Sequence, residues 1–270
     1  MKRVAFQGEK GAYSEEAIYK HYGNEVETVP RPYLRDVFDT VESGEANYGL
    51  VPVENTIEGS IVRAFDLLNE RGLKASGEEI HRIQHCLIVH PDANLSNIKR
   101  AYSHPQALGQ SREYLETNNI EPLNFYDTAG GVKWIKENNV MDAAGIASAQ
   151  AAETYDMKIL VKGIETNTEN YTRFLEIGFD EPEPTGRDKT TLAFIVEHRP
   201  GSLVRALQEF SDRTVNLEKV ESRPRIGKPW EYIFFIDLEG HIRDQNISSA
   251  LEALQEYTIY IKHLGSYPRA

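Results

Sequence analysis

Asn170, Tyr171, Thr172 and Arg173 place an amide, a phenol, a hydroxyl and a guanidinium side by side, and Phe174, Leu175 and Ile177 then carry the chain into an apolar strand. Donors at the mouth of a strand suit a polar ligand, because loops held by a rigid scaffold carry function. Arg173 is the natural fork for a carboxylate; a solvated loop with a surface arginine is the plain alternative. Ser14, Ser60, Ser103, Thr128 and Ser148 all fall at strand-to-helix junctions, where hydroxyls cap helices. Together they predict a cleft lined with helix N-termini, able to bind carboxylates without lysines. Asn55 and Thr56 lie between a strand end and a helix start, where open α/β sheets bind ligands, although Asn also suits an ordinary turn. Gln110 sits one turn into the helix that follows Ser103. His104 has no second His at ligand spacing, so no metal is expected. Cys86, the only cysteine, lies in an apolar run and reads as core rather than nucleophile.

The elements that must position these groups alternate. Lys2 to Phe6 reads as a strand, and Gly8-x-x-Gly11 lets the backbone turn into a helix from Ser14 to about Tyr22. This is not a Walker loop, since the final Gly-Lys-Ser/Thr is missing. A helix over Pro32 to Ser43 shows an apolar face of Leu34, Val37, Phe38 and Val41. Tyr48 to Val53 is a strand, and Ser60 caps a helix through Arg71. Glu79 to His90 reads as one long strand crossing into a second lobe. Short strands at Lys99 to Tyr102, Pro122 to Tyr126, Ala143 to Ala147 and Ile159 to Val161 alternate with helices from Pro105, Ala129 and Ser148. Glu181 to Gly186 is a Pro/Gly linker. Beyond it the order is strand, helix, strand, strand, helix, strand, the ferredoxin-like arrangement. At that size the module suits regulation or oligomer formation.

The 270 residues allow two or three compact units. Acids number 42 against 30 Lys and Arg, giving a net charge of −12, with the excess before residue 190. This argues against a nucleic-acid partner and means that local donors must hold any anionic ligand. No run of about 18 apolar residues marks a membrane span. The first ten residues lack the apolar stretch of a signal peptide, so a cytoplasmic location is expected.

Taken together, five stretches resemble the prephenate dehydratase family across essentially the whole chain. They are Gly8-x-x-Gly11-x-Tyr13-Ser14; Pro52-Val-Glu-Asn55-Thr-x-x-Gly59; Ser103-His-Pro-Gln-Ala-Leu-Gly-Gln110; Asp127-Thr128-Ala129-Gly130; and Asn170-Tyr171-Thr172-Arg173-Phe174. The C-terminal module resembles an ACT domain, with Gly201-Ser202-Leu203 at the family's Gly-Ala-Leu position and Glu221-Ser222-Arg223-Pro224 at its phenylalanine-binding motif. Thr56 stands where the family often has Ser, Ser111 where it often has Cys, and Ser202 where it has Ala.

The resemblance implies an α/β fold. A catalytic region over 1–182 would have two lobes of periplasmic-binding-protein type, one of 1–78 plus 158–180 and the other of 79–157. A linker over 183–189 and an ACT domain over 190–270 would follow. It implies conversion of prephenate to phenylpyruvate in L-phenylalanine biosynthesis, with no cofactor, because aromatisation drives the reaction. Thr172 would be the proton donor, and Asn55, Ser103 and Gln110 would bind and orient. Ser14, Thr56, Thr128 and Phe174 would contact substrate, and Arg173 would hold a carboxylate or brace its loop. Gly201, Ser202, Leu203, Glu221, Ser222, Arg223 and Pro224 would bind L-phenylalanine as inhibitor, with ACT modules pairing into a homodimer or homotetramer. Two other readings stand beside this one: arogenate dehydratase, and a non-catalytic amino-acid sensor. A fusion to chorismate mutase is not expected at this length.

Overall fold

In a computed structural model, which describes residues 1–225 and 227–270, two glycines set up the first helix. Gly8 and Gly11 both hold positive φ (122° and 84°), and a Cβ on Gly11 would come within 2.6 Å of the Ala151 Cα. Only glycine lets the loop pass so close, and the Ser148 hydroxyl seals the contact by donating to the Gly11 carbonyl at 2.6 Å.

By chain contacts the molecule divides into Met1–Ile61 with Ile80–Phe174, and Val62–Glu79 with Leu175–Ala270. In chain order the first stretch gives β1 (Lys2–Gln7), α1 (Tyr13–Tyr22), β2 (Val26–Arg31), α2 (Leu34–Glu42), β3 (Tyr48–Asn55) and β4 (Gly59–Ser60). Then come α3 (Val62–Glu70), β5 (Lys74–Arg82), β6 (Cys86–Val89), β7 (Arg100–Ser103), α4 (Pro105–Gln110) and α5 (Arg112–Thr117). Next are β8 (Glu121–Asn124), α6 (Thr128–Glu137), β9 (Ala143–Ala147), α7 (Ala149–Thr154), β10 (Lys158–Lys162) and β11 (Tyr171–Gly178). One sheet runs β2-β1-β3-β11-β5, with β4 on β3, and a second runs β10-β6-β9-β7-β8. β1 is parallel to β2 and β3, as strand–helix–strand connections require. Phe6, Leu50, Cys86, Ile88, Ala129 and Val132 meet in one buried cluster.

Several sequence expectations are corrected here. The long strand over 79–90 is two strands, with Ile83 to His85 between them, because the chain leaves one sheet for the other. β10 pairs with β6, so 158–162 belongs with the sheet expected of 79–157 rather than with 1–78. Val62–Glu79 clusters with the C-terminal residues, not with 1–61. The expected helix caps are fewer than the hydroxyls suggested. Ala12, not Ser14, occupies the cap of α1. Ser60 is in β4. His104 caps α4, because Pro105 takes its first position, which leaves Ser103 as the last residue of β7. Asp127 caps α6 with a bond from the Gly130 N–H at 2.8 Å. Ser148 does cap α7.

The second unit adds β12 (Asp188–Val196), α8 (Ser202–Ser211), β13 (Leu217–Pro224), β14 (Tyr232–Glu239), α9 (Gln245–Leu254) and β15 (Thr258–Pro268). Their antiparallel sheet runs β13-β14-β12-β15. On one face α8 and α9 bury Ala206, Phe210, Ile247, Ala250 and Leu254 against Leu192, Phe194, Ile236 and Leu238. On the other, Phe65 of α3 lies 5.6 Å from Phe235, ring centre to ring centre. The Lys262 ammonium donates to the Leu68, Asn69 and Arg71 carbonyls at 3.1, 2.7 and 2.7 Å, which closes the C-terminal end of that helix. No helix among the described residues is long and apolar enough to cross a membrane.

A half-buried histidine makes this unit acid-sensitive. Burial, aided by nearby Lys74, pushes His263 from 6.5 down to about 4, and its Nε2 lies 2.9 Å from the Ser266 hydroxyl. Between those values the unfolded chain binds a proton that the folded chain does not, so stability falls as pH drops through the window. The loss is roughly 2–3 kcal/mol. Urea midpoints at pH 4.5 and 7 should differ accordingly, and His263→Gln should reduce the difference; an unchanged difference would remove His263 as its source.

Candidate active site

Where the two sheets of the first unit present their strand ends, a cavity of about 240 Å³ opens. Its walls include Tyr13 and Ser14 from the start of α1, Asn55 and Glu58 after β3, and Ile83 and His85 between β5 and β6. His104, Gln106 and Gln110 come from α4 and its cap, Asp127 and Thr128 from the start of α6, and Thr172 and Phe174 from β11. Among the described residues Asp127 and Glu58 line the cavity, but no lysine or arginine does.

Hydrogen bonds connect the polar members. The Asn55 Nδ2 donates to Asn170 Oδ1 at 2.8 Å, to Thr172 Oγ1 at 3.0 Å and to the Tyr171 carbonyl at 3.1 Å. Asn55 Oδ1 accepts from the backbone N–H groups of Ile57 and Glu58 at 2.9 and 3.0 Å. Asn170 Nδ2 donates to Gln110 Oε1 at 2.9 Å, and His85 Nε2 reaches the same oxygen at 2.8 Å. The Tyr13 hydroxyl lies 2.6 Å from His85 Nδ1. Asn170, at 0 % exposure, is buried, and so are Thr172 and His85.

Burial sets the charge states. It lowers the His85 pKa, so the ring is neutral at pH 7, and raises that of Tyr13, keeping its proton. It also raises Asp127, against the opposing bond from the Gly130 N–H. Cys86 is wholly buried and pushed up to about 11, which keeps it an inert thiol.

The structure gathers Ser14, Asn55, Gln110, Thr128, Thr172 and Phe174 around the cavity. It leaves three sequence candidates outside. Ser103 is fully buried and donates to the Ile146 carbonyl at 2.6 Å, joining β7 to β9. The Thr56 hydroxyl donates to the Glu169 carbonyl at 2.8 Å and accepts from the Tyr171 N–H at 2.9 Å, tying the β3–β4 turn to β11. Serine could do the same, which accounts for the exchange at this position. Arg173 lies 3.5 Å from Glu54 on β3 and is not among the residues that line the cavity. Ser111 is buried with no partner for its hydroxyl among the described residues, a site that suits a thiol as well. Tyr13 and His85 were not singled out as site groups by sequence, whereas Asn170 was, as the amide of the donor run at the mouth of β11. The break between β5 and β6 is the feature that turns His85 inward.

A family profile described as "Prephenate dehydratase" matches residues 4–182. The chain belongs to the prephenate dehydratase family. A second profile, "ACT domain", matches residues 190–256. Among relatives, the bifunctional chorismate mutase/prephenate dehydratase of Aquifex aeolicus is 39 % identical over 99 % of this chain and 74 % of that protein. The solved prephenate dehydratase of Arthrobacter aurescens in complex with L-Phe is 30 % identical, with a TM-score of 0.91 over 99 % of this chain and 90 % of that one. A structure described as GqqA, a novel type of quorum quenching acylase, is 31 % identical, with a TM-score of 0.93 over 100 % of this chain and 98 % of that one. The prephenate dehydratase family has two α/β lobes of periplasmic-binding-protein type and an ACT module, the fold class of this chain.

Within the ACT module the candidate effector residues divide. Gly201 takes a left-handed φ of 83° ahead of α8, Ser202 begins that helix and Leu203 packs on its core. Ser222 and Pro224 pair with Phe234 and Tyr232, on the face that α8 covers. Glu221 and Arg223 pair with Phe235 and Ile233 on the opposite face, where Arg223 lies 2.6 Å from Asp66 of α3. In one chain the seven residues are therefore two groups separated by the sheet.

Proposed function

We propose that the cavity binds prephenate and that Thr172 donates a proton to the departing ring hydroxyl. One observation carries this reading: the Asn55 amide donates to Thr172 Oγ1 at 3.0 Å, which leaves the hydroxyl hydrogen for the cavity. Prephenate has a 1,4-cyclohexadiene ring with a carboxylate, a pyruvyl arm and a hydroxyl. Breaking the bond to the ring carboxylate sends its electron pair into the ring and releases CO2. The hydroxyl leaves with the donated proton as water, phenylpyruvate remains, and the Thr172 oxygen regains a proton from solvent. A hydroxyl is a weak acid, so positioning and preorganised dipoles supply most of the acceleration. The carboxylate lost as CO2 must not be held by a strong ion pair, and the lining fits that need, having helix starts at Ser14 and Thr128 and no lysine or arginine. Asn55 and Gln110 orient the substrate, and Phe174 supplies an apolar wall.

L-phenylalanine is the effector, bound through the residues at the start of α8 and along β13, and ACT modules pair into a dimer or a dimer of dimers. β13 is an edge strand of its sheet, open to such pairing. The enzyme works in the cytoplasm. The test is phenylpyruvate formation from prephenate by the purified chain, with and without L-phenylalanine, and with arogenate as competing substrate. Turnover of prephenate that falls with L-phenylalanine is expected, and faster turnover of arogenate would reassign the substrate. In Arg223→Ala the basal rate should persist while inhibition disappears; inhibition equal to that of the wild type would sink the role given to Arg223.

A further inference from the structure

Backbone donors fix the direction of the hydrogen bonds that join Asn55, Asn170 and Gln110. The N–H groups of Ile57 and Glu58 can only donate, so the Asn55 oxygen must face them and its NH2 must face Asn170 and Thr172. Asn170 thereby presents its oxygen to Asn55 and its NH2 to Gln110. Gln110 Oε1 is then an acceptor, and the Gln110 NH2 points to the other side, 3.4 Å from Glu58 Oε1 at the cavity wall. The Glu58 backbone returns to Asn55, so the circuit closes.

His85 completes it. Its Nε2 faces Gln110 Oε1, an acceptor, so Nε2 carries the proton. Nδ1 is then bare, and the Tyr13 O–H donates to it at 2.6 Å, the shorter of its two contacts, the other being to the Gln84 carbonyl at 3.2 Å. The backbone that carries the imidazole is itself held, since the main-chain N–H of His85 donates to Glu165 Oε2 at 2.9 Å. Two donors thus converge on one oxygen of Gln110, and a flipped amide would set NH2 against N–H twice.

We infer that His85 is a positioning residue for the dehydration: with Tyr13 fixing its tautomer, it locks the Gln110 amide so that the NH2 faces substrate. This rests on the reading of the cavity as the dehydratase site. His85 touches the reaction through Gln110 and exchanges no proton with substrate.

The test is a double-mutant cycle together with a spectrum that needs no substrate. His85→Leu should lower kcat about tenfold, with a smaller change in KM. His85→Gln, whose amide can donate to Gln110, should recover to within about threefold of wild type. In a Gln110→Ala background, His85→Leu should cost nothing more, because the group it acts on is gone. An equal further loss in that background would overturn the inference. Nitrogen-15 NMR of the wild-type imidazole should show a proton on Nε2 and none on Nδ1 near pH 7; the opposite tautomer would overturn it as well. If His85→Leu does not fold, Tyr13→Phe serves: the Nε2-protonated form should lose its dominance there, and an unaltered spectrum counts against the role of Tyr13. If wild type fails to turn over prephenate, the functional reading falls, while the spectrum still decides the hydrogen-bond order.

Discussion

Thr172→Ala should lower kcat by about 10²–10³, or roughly 3–4 kcal/mol of barrier, while KM changes little. The substitution removes one hydroxyl and leaves its neighbours satisfied. Asn55 Nδ2 keeps Asn170 Oδ1 and the Tyr171 carbonyl, so no buried donor loses its partners. Stability should therefore fall by less than about 1 kcal/mol. That separation of activity from stability is the useful part of the experiment. Thr172→Ser keeps the hydroxyl and should retain most turnover. Steady-state kinetics with thermal melts of the three proteins measure both quantities. An alanine variant with wild-type kcat would remove Thr172 as donor, and one that loses turnover only because it unfolds would be exposed by its melt.

A second large effect is structural. Lys189 at the start of β12 lies 2.7 Å from Glu78 Oε1 and 3.0 Å from Glu218 Oε2, and its side chain and that of Glu78 are buried. Lys189→Met removes the shared cation and leaves two carboxylates close together. Breaking a buried pair from one side costs about 3–5 kcal/mol. Glu218 retains Arg269 at 2.7 Å and Glu78 retains the Ala270 N–H at 3.2 Å, so the penalty comes from the cation that the two carboxylates lose in common. Adding Glu78→Leu to Lys189→Met should recover much of the loss, because an apolar pair replaces a pair of ions. Denaturant titrations of the single and double variants decide it. A single variant within about 1 kcal/mol of wild type would mean that solvent screens this group of charges.

What the sequence made legible was local. The small-residue run Ala143–Ala147 is β9 as read, and the strand and helix order after residue 187 gives the ferredoxin-like sheet. The pairing of distant stretches was not legible. β2 was not read from the sequence; Pro30 lies within it, and at the edge of its sheet that proline interrupts little. Ser103 looked like a helix cap, but the proline after His104 moves the cap by one residue and leaves the serine hydroxyl to bridge two strands. Thr172, Asn55 and Gln110 were legible as polar groups at strand ends and helix starts, and the family resemblance gave them roles. His85 was not, because a lone histidine before an apolar run reads as core until the strand is seen to break.

The placement of Val62–Glu79 bears on how such a chain can be rearranged in evolution. Residues before and after this segment line the cavity, yet α3 sets Phe65 against Phe235 and Asp66 beside Arg223. The stretch between residues 181 and 186 looks like a seam at which the C-terminal module could be exchanged for an unrelated one. A crossover there would carry away the floor on which α3 rests and leave an aromatic ring and a buried carboxylate facing water. The module is thus woven in rather than appended. Viable recombinants must exchange the helix surface along with the sheet, which favours inheritance of the two as a single unit.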